Sequence, residues 1–269
     1  MLAQPPRVGR NHSVGGSGCS INLRGAVYLN PADPLVSKPT TMDKLIDRYP
    51  AGYIEIMGSV SVQLVYMIVG LFLERLRPPY ISATSRQMLT QSLWNHVVAT
   101  MTHVAFVMST GGQSMLTRTF IQPYSLPSWQ EFVRDLVVGL LLRDAVFYII
   151  HRIWHAPGIY ERVHAKHHEI KHPGNHHVLT ISYMSVADFM FLYGFPVVGI
   201  AKVLEMNLAT TLAFSFVSAV GEQVKLLWGD DAHDDHHLNL APNYGVYGLV
   251  DSICGASSVA RLVRKKSQE

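Results

Sequence analysis

The sequence predicts an all-α fold, an integral membrane bundle of about four to five spans with a cluster of histidines gathered at one membrane face. Three observations predict it. Charged residues make up only 15% of the 269 positions and hydrophobic ones 48%, whereas a soluble domain carries about 25% charged residues. Five long apolar runs punctuate the chain. Of the 14 histidines, eleven fall between His151 and His237, close to the ends of those runs.

Residues 1–45 are polar and rich in Gly, Ser and Pro, and are expected to form a mobile tail without a signal-peptide core. The membrane-embedded domain is expected over residues 46–256, followed by a basic tail at 257–269. The first apolar run, Tyr53 to Leu73, is interrupted only by Glu55 and has the roughly 20 residues a span needs. Arg75, Arg77, Pro78 and Pro79 end it. The second run covers Leu93 to Met108, and the third begins near Trp129 and continues to His155. A fourth covers Val178 to Leu204, with Pro196 expected to bend or break it. The fifth is Leu208 to Trp228. Charges inside several runs suit deeply buried or re-entrant helices as well as clean spans.

Positive charge gives a conflicting orientation. Arg75, Arg77 and Arg86 follow the first run, Arg118 alone follows the second, and Arg261, Arg264, Lys265 and Lys266 close the chain. Cytoplasmic loops favour Lys and Arg, so five spans put the C-terminus in the cytosol. The basic residues Arg7, Arg10, Arg24, Lys38, Lys44 and Arg48 argue against an N-terminus outside. Either way, the third and fifth runs end on the same face. A net charge of +3, without basic residues interleaved with aromatics, excludes a nucleic-acid surface. Cys19 and Cys254 make neither a disulfide framework nor a zinc ribbon. Asn11-His12-Ser13 fits a glycosylation sequon, a triplet common by chance.

Three histidine clusters sit at the run ends: His151 with His155; His164 with His167 and His168; and His233 with His236 and His237. On a helix, positions three and four apart share a face, so each cluster aims two or three imidazoles at one point. A single metal takes three or four protein ligands; eight imidazoles fit two. Imidazole suits Fe, Zn, Cu and Ni, and spacing does not choose among them. His176 and His177 are candidates for further ligands, whereas His172 reads as part of a polar loop. Asp144 lies on the same helical stripe as Tyr148, His151 and His155. It would orient a ligand imidazole or pair with Arg143. Glu222 and Asp188 are further buried acids open to either role. His96 and His103 share a face of the second run, suited to helix–helix hydrogen bonding or to a substrate channel.

The pattern HX₃H, HX₂HH, HX₂HH, in this order and at these run ends, resembles the fatty acid hydroxylase superfamily, which includes sterol desaturases and C-4 methylsterol oxidases. The flanks agree: RDAVFYIIHRIWHAPGIYERVHAKHHEIKHP around the first two clusters, and HDDHHLNLAPNYGVYGLVDSICG around the third, with Asn243-Tyr244-Gly245 and Asp251 after it. The resemblance covers about residues 130–256. It implies that His151, His155, His164, His167, His168, His233, His236 and His237 bind two iron ions, with Asn243 beside them. It implies O₂ as co-substrate and electrons from cytochrome b5 or an NAD(P)H reductase. It also implies an endoplasmic-reticulum membrane with the site facing the cytosol. The activity implied is hydroxylation or desaturation of a hydrophobic sterol, fatty acyl or terpenoid substrate. The helix before the third cluster departs from the family pattern: it carries Glu222 and Gln223 where relatives often place histidines. Two alternatives stand beside this reading. A membrane-embedded zinc hydrolase would need a general base beside the metal, and the first cluster, His-Arg-Ile-Trp-His, holds no Glu. A metal-binding or transport protein would place its site near the midplane, not at run ends.

Overall fold

A computed structural model describes residues 20–21, 27–28, 49, 51–76, 84–114, 126–228, 231–240 and 242–254. The sequon at Asn11, Cys19, the Arg77–Pro79 stop, Arg118 and the basic residues after 260 lie outside the described residues. The chain divides into two compact units, Met1–Thr41 and Met42–Glu269. In the first, Ser20–Ile21 pairs antiparallel with Val27–Tyr28. Every described element of the second is helical: α1 (Ala51–Leu76), α2 (Arg86–Ser109), α3 (Trp129–Trp154), α4 (Val186–Val203), α5 (Leu208–Trp228), α6 (Asp231–Asn239) and α7 (Leu249–Ile253).

Local chemistry sets the helix starts. Ser85 caps α2 by accepting from the Met88 amide at 3.2 Å. Ser128 and Glu131 form a reciprocal capping box at the start of α3, with amide-to-side-chain distances of 3.1 and 3.2 Å, which satisfies two otherwise orphaned donors. The run expected from Val178 to Leu204 is two elements. Val178–Ser182 is a short 3₁₀ turn, Tyr183 is extended, and Ser185 caps a new helix by accepting from the Asp188 amide. Pro196 does not break α4. A π-helical turn at Met190–Gly194 precedes it, and that wider turn accommodates a ring that lacks an N–H.

The second unit is arranged around α5, which packs against α1 on one side and α3 on the other; α2 lies beside α1, and α4 beside α3. Gly139 permits the close α3–α5 approach, since a Cβ there would lie 3.3 Å from the Phe214 ring. The apolar core holds Ile200, Ala201, Met206 and Phe214 at one end and Phe147, Leu192 and Val246 near the other.

Polarity is distributed inside-out. Large apolar side chains are exposed on α1 (Met57, Leu64, Ile68, Phe72), on α2 (Trp94, Met101) and on α3 (Val137, Leu141, Ile149). The buried faces carry Asn95, Asp135, Arg143, Asp144, Thr210, Glu222 and Gln223. Water would favour the reverse; lipid favours this arrangement, with polar groups satisfied inside the bundle. By length and composition, two helices among the described residues are long and apolar enough to cross a membrane, Gly52–Leu76 and Val186–Val203. The other three expected spans, α2, α3 and α5, have 24, 26 and 21 residues. Their inward polar stripes dilute the apolar character that a simple count of spans relies on.

Candidate metal centre

His151 is buried in the last turns of α3, and His155 caps its C-terminus. The chain then reverses through Gly158, whose φ of +81° favours glycine and whose amide donates to Glu161 Oε2 at 2.8 Å. The second cluster rides on tight turns, not on a regular α-helix. A π turn over Tyr160–His164 presents His164, and a 3₁₀ turn over His167–Glu169 presents His167 and His168. α6 brings His233, His236 and His237 from the far side of α5.

The eight imidazoles form two groups. In each, one ligand atom per residue lies within 4.8 Å of the others: His151, His155, His164, His168 and His236 in the first, His167, His233 and His237 in the second. The groups touch, with the His168 and His237 ring centroids 4.5 Å apart.

Hydrogen bonds define which nitrogen of several rings faces inward. His151 Nδ1 lies 2.8 Å from the Tyr244 carbonyl, His167 Nδ1 3.2 Å from the Tyr183 carbonyl, and His237 Nδ1 2.6 Å from the Ile170 carbonyl. His164 Nδ1 lies 2.7 Å from Asp188 Oδ2. A carbonyl or carboxylate oxygen can only accept, so each Nδ1 carries the proton and each Nε2 presents a lone pair. Yet His151 Nε2 is 2.9 Å from His164 Nε2, and His237 Nε2 is 3.1 Å from His167 Nε2. Lone pairs facing each other at this distance repel unless a cation lies between them. Two ligands bound at right angles at about 2.0–2.1 Å would stand about 3 Å apart, as these do. Buried His155 Nε2 and both ring nitrogens of His168 have no hydrogen-bond partner among the described residues. Each group holds such a close approach, and in the first His236 Nε2 also stands 3.1 Å from His151 Nε2, so the donor set fits two cations.

Burial, and then repulsion from neighbouring rings, keeps the imidazoles neutral, the form that ligates. Burial lowers His167 to about 4 and His155 to about 3, and holds His164, His168 and His237 well below the ordinary histidine value.

A fatty acid hydroxylase family profile matches residues 136–256, from the second turn of α3 to just beyond α7. Over these residues the chain is similar to a fatty acid hydroxylase domain. Fatty acid hydroxylase domain-containing protein 2 of Homo sapiens is 29% identical over 141 residues, covering 50% of this chain and 41% of that protein. Methylsterol monooxygenase 2-2 of Arabidopsis thaliana is 30% identical over 139 residues, covering 46% and 51%. A very-long-chain aldehyde decarbonylase of Oryza sativa subsp. indica is 30% identical over 137 residues, covering 45% and 50%. The chain thus spans about half the length of these curated relatives. No solved structure matches it at a significant level.

Around the histidine groups, the other expected residues take varied places. Asp144 turns to neither an imidazole nor a guanidinium; it accepts from the Tyr247 amide at 2.6 Å and the Val250 amide at 3.0 Å. Asp251 accepts from the Tyr244 and Gly245 amides at 2.7 and 2.6 Å. Together these two carboxylates clamp the segment whose Tyr244 carbonyl orients His151. Gly245 fits between them, and a Cβ there would lie 2.8 Å from an oxygen of each. The carboxylate that meets a ligand ring is Asp188, fully buried on α4. Glu222 instead accepts from Tyr193 Oη at 2.5 Å and lies 3.5 Å from Arg143 Nη2. His176 and His177 fall outside both groups: His176 Nδ1 is 3.5 Å from Thr84 Oγ1, and His177 Nδ1 accepts from the Leu179 amide. Exposed His172 lies 3.9 Å from Asp234. Sequence reasoning missed Glu169, which accepts from Tyr183 Oη at 2.5 Å and so steadies the residue whose carbonyl holds His167.

A cavity of about 380 Å³ opens onto both groups, through His151 and His164 on one side and His167 and His233 on the other. Phe147, Met184, Leu192 and Leu226 give it apolar walls, and Asn243, Lys225 and Glu222 are among its polar points. A second, more apolar cavity of about 190 Å³ lies between α1, α2, α4 and α5, with His96 and His103 in its wall.

Proposed function

We propose that this chain is an O₂-dependent membrane di-iron oxidase that hydroxylates or desaturates a lipid-like substrate. The observation that carries the reading is the close approach of imidazole Nε2 atoms within each histidine group. His151, His155, His164, His168 and His236 would hold one iron, and His167, His233 and His237 the other. Two irons in this setting would supply O₂ activation and the oxidising power to attack an unactivated C–H bond.

The chain's own residues bind, orient and exclude water. Asp188 and the carbonyls of Tyr244, Tyr183 and Ile170 fix the ring tautomers, so metal binding needs no rearrangement of protons. The apolar walls of the adjoining cavity suit a hydrocarbon substrate and keep water out. Relatives named for methylsterols and for very-long-chain aldehydes support a lipid-like substrate. Their names differ in reaction, a monooxygenase and a decarbonylase, which fits a reaction set by the cavity rather than by the fold. Residues 46–256 form the catalytic domain in this reading, between a polar N-terminal and a basic C-terminal tail. In this reading the enzyme works in the endoplasmic-reticulum membrane with its site facing the cytosol, where cytochrome b5 or an NAD(P)H reductase would supply electrons. A zinc hydrolase would need a free general base at the metal. The carboxylate at the rings, Asp188, is engaged with His164, and Glu169 is engaged with Tyr183.

Product analysis under ¹⁸O₂ tests the proposal, using iron-loaded membranes, a reductase system and candidate lipids. A new hydroxyl carrying ¹⁸O, or a new double bond, is expected, and chelation should abolish it. Full activity with one zinc and no iron would overturn the proposal.

A further inference from the structure

We propose that Arg143 and Glu222 form a head-group site that binds a neutral oxygen function, a hydroxyl or carbonyl, of an otherwise apolar ligand in the cavity between α1, α2, α4 and α5. Arg143 is 1% exposed and lines that cavity. Its guanidinium packs over Phe147 at 4.8 Å and Tyr193 at 5.1 Å, contacts that occupy its faces and leave its edges open. Nη2 lies 3.5 Å from Glu222 Oε1, while Nε and Nη1 are buried without a hydrogen-bond partner among the described residues. Orphaned donors on a buried guanidinium are costly, and a ligand oxygen would satisfy them. Glu222 already balances the charge of Arg143, so a neutral acceptor suits the site better than a second carboxylate. A hydroxyl fits both partners, since it can accept from Arg143 and donate to Glu222.

The site is separate from the metal groups but continuous with their surroundings. Ile181, Tyr193 and Glu222 line both cavities. Arg143 precedes His151 by eight residues of α3, about 12 Å of helix rise. A ligand anchored at Arg143 and extending towards the histidines therefore presents carbon far from its head. This consequence rests on the proposed oxidase; the binding site itself does not.

Binding to metal-free full-length protein in nanodiscs separates the two claims, because failure to oxidise cannot affect it. The probes are matched pairs: octadecan-1-ol against octadecane, and cholestanol against cholestane, with octadecanoate as the anionic control. Wild-type protein should prefer the alcohol in at least one pair by roughly 10- to 100-fold, the range of a hydrogen bond to a charged group. Arg143→Met with Glu222→Gln removes both charges, so no lone buried ion remains. It should abolish the preference and retain hydrocarbon affinity. If that variant does not fold, Arg143→Lys carries the test, since it keeps the cation but loses the Nε donor; the preference should fall about fivefold or more. No alcohol preference in either pair, a preference that survives these substitutions, or octadecanoate binding tenfold tighter than octadecan-1-ol would overturn the proposal.

Discussion

Asp188→Asn isolates what a single buried carboxylate does for the metal centre. Asp188 is fully buried, and its Oδ2 lies 2.7 Å from His164 Nδ1. The amide preserves size and can still accept through its oxygen. What changes is a charge-assisted bond, worth about 1.5–3 kcal/mol, for a neutral one of about 0.5–1.5 kcal/mol. The loss of about 1–1.5 kcal/mol corresponds to roughly tenfold weaker metal binding, within the 10–100-fold range typical of residues that orient metal-bound histidines. An amide turned the other way would present a donor to Nδ1, force the proton onto Nε2 and lower affinity further. Metal-free stability should not fall with it. The carboxylate is fully buried, and replacing an expensive buried charge by an amide is neutral or favourable there. The assay is chelator competition for iron, run beside thermal unfolding of the metal-free protein. Unchanged iron affinity at the wild-type melting temperature would refute the orienting role. Weaker binding explained wholly by a lower melting temperature would refute it too.

Other perturbations separate the two histidine groups and their supports. His167→Ala removes one of three donors from the second group, so iron per folded chain should fall from two towards one, with turnover lost. Wild-type stoichiometry and turnover would remove His167 from the ligand set. Gly245→Ala forces a methyl to within 2.8 Å of the Asp144 and Asp251 oxygens; a loss of about 1–3 kcal/mol in unfolding free energy is expected. Iron loss should begin in the group that contains His151. Metal-free protein should also lose stability in acid. Unfolded histidines take up protons near 6.5, whereas burial holds His167 to about 4 and His155 to about 3. The unfolded state therefore binds more protons in that window, and stability declines as pH falls from 6.5 towards 4. A flat melting temperature across that range would contradict the burial of these rings.

The histidine positions were legible because i, i+3 and i+4 spacing survives even when the local backbone is a π or 3₁₀ turn, as at His164 and His167. The apolar runs located the helices, with α3 starting at Trp129 as expected, but α2 starts at Arg86, ahead of the run read from Leu93, because Ser85 caps it. What orients the rings was not legible. Three of the four Nδ1 partners are backbone carbonyls, and a carbonyl leaves no trace in residue identity. Asp144 shared a stripe with His151, which suggested contact, but its oxygens turn to the amides of Tyr247 and Val250, more than 100 residues away in sequence. Asp188 carried a signal only in being an acid in an apolar run. The count of spans was obscured by the same inward-facing polar residues that build the site, since hydropathy along a helix averages its two faces.

The claim at the centre of this account is that the eight histidines hold two metals in two adjoining groups. Metal analysis of anaerobically purified, ⁵⁷Fe-loaded protein, combined with Mössbauer spectroscopy, tests it most directly. Two irons per folded chain, in nitrogen-rich sites that couple to each other, are expected. One metal per folded chain, with the second group of histidines empty at saturating iron, would contradict it.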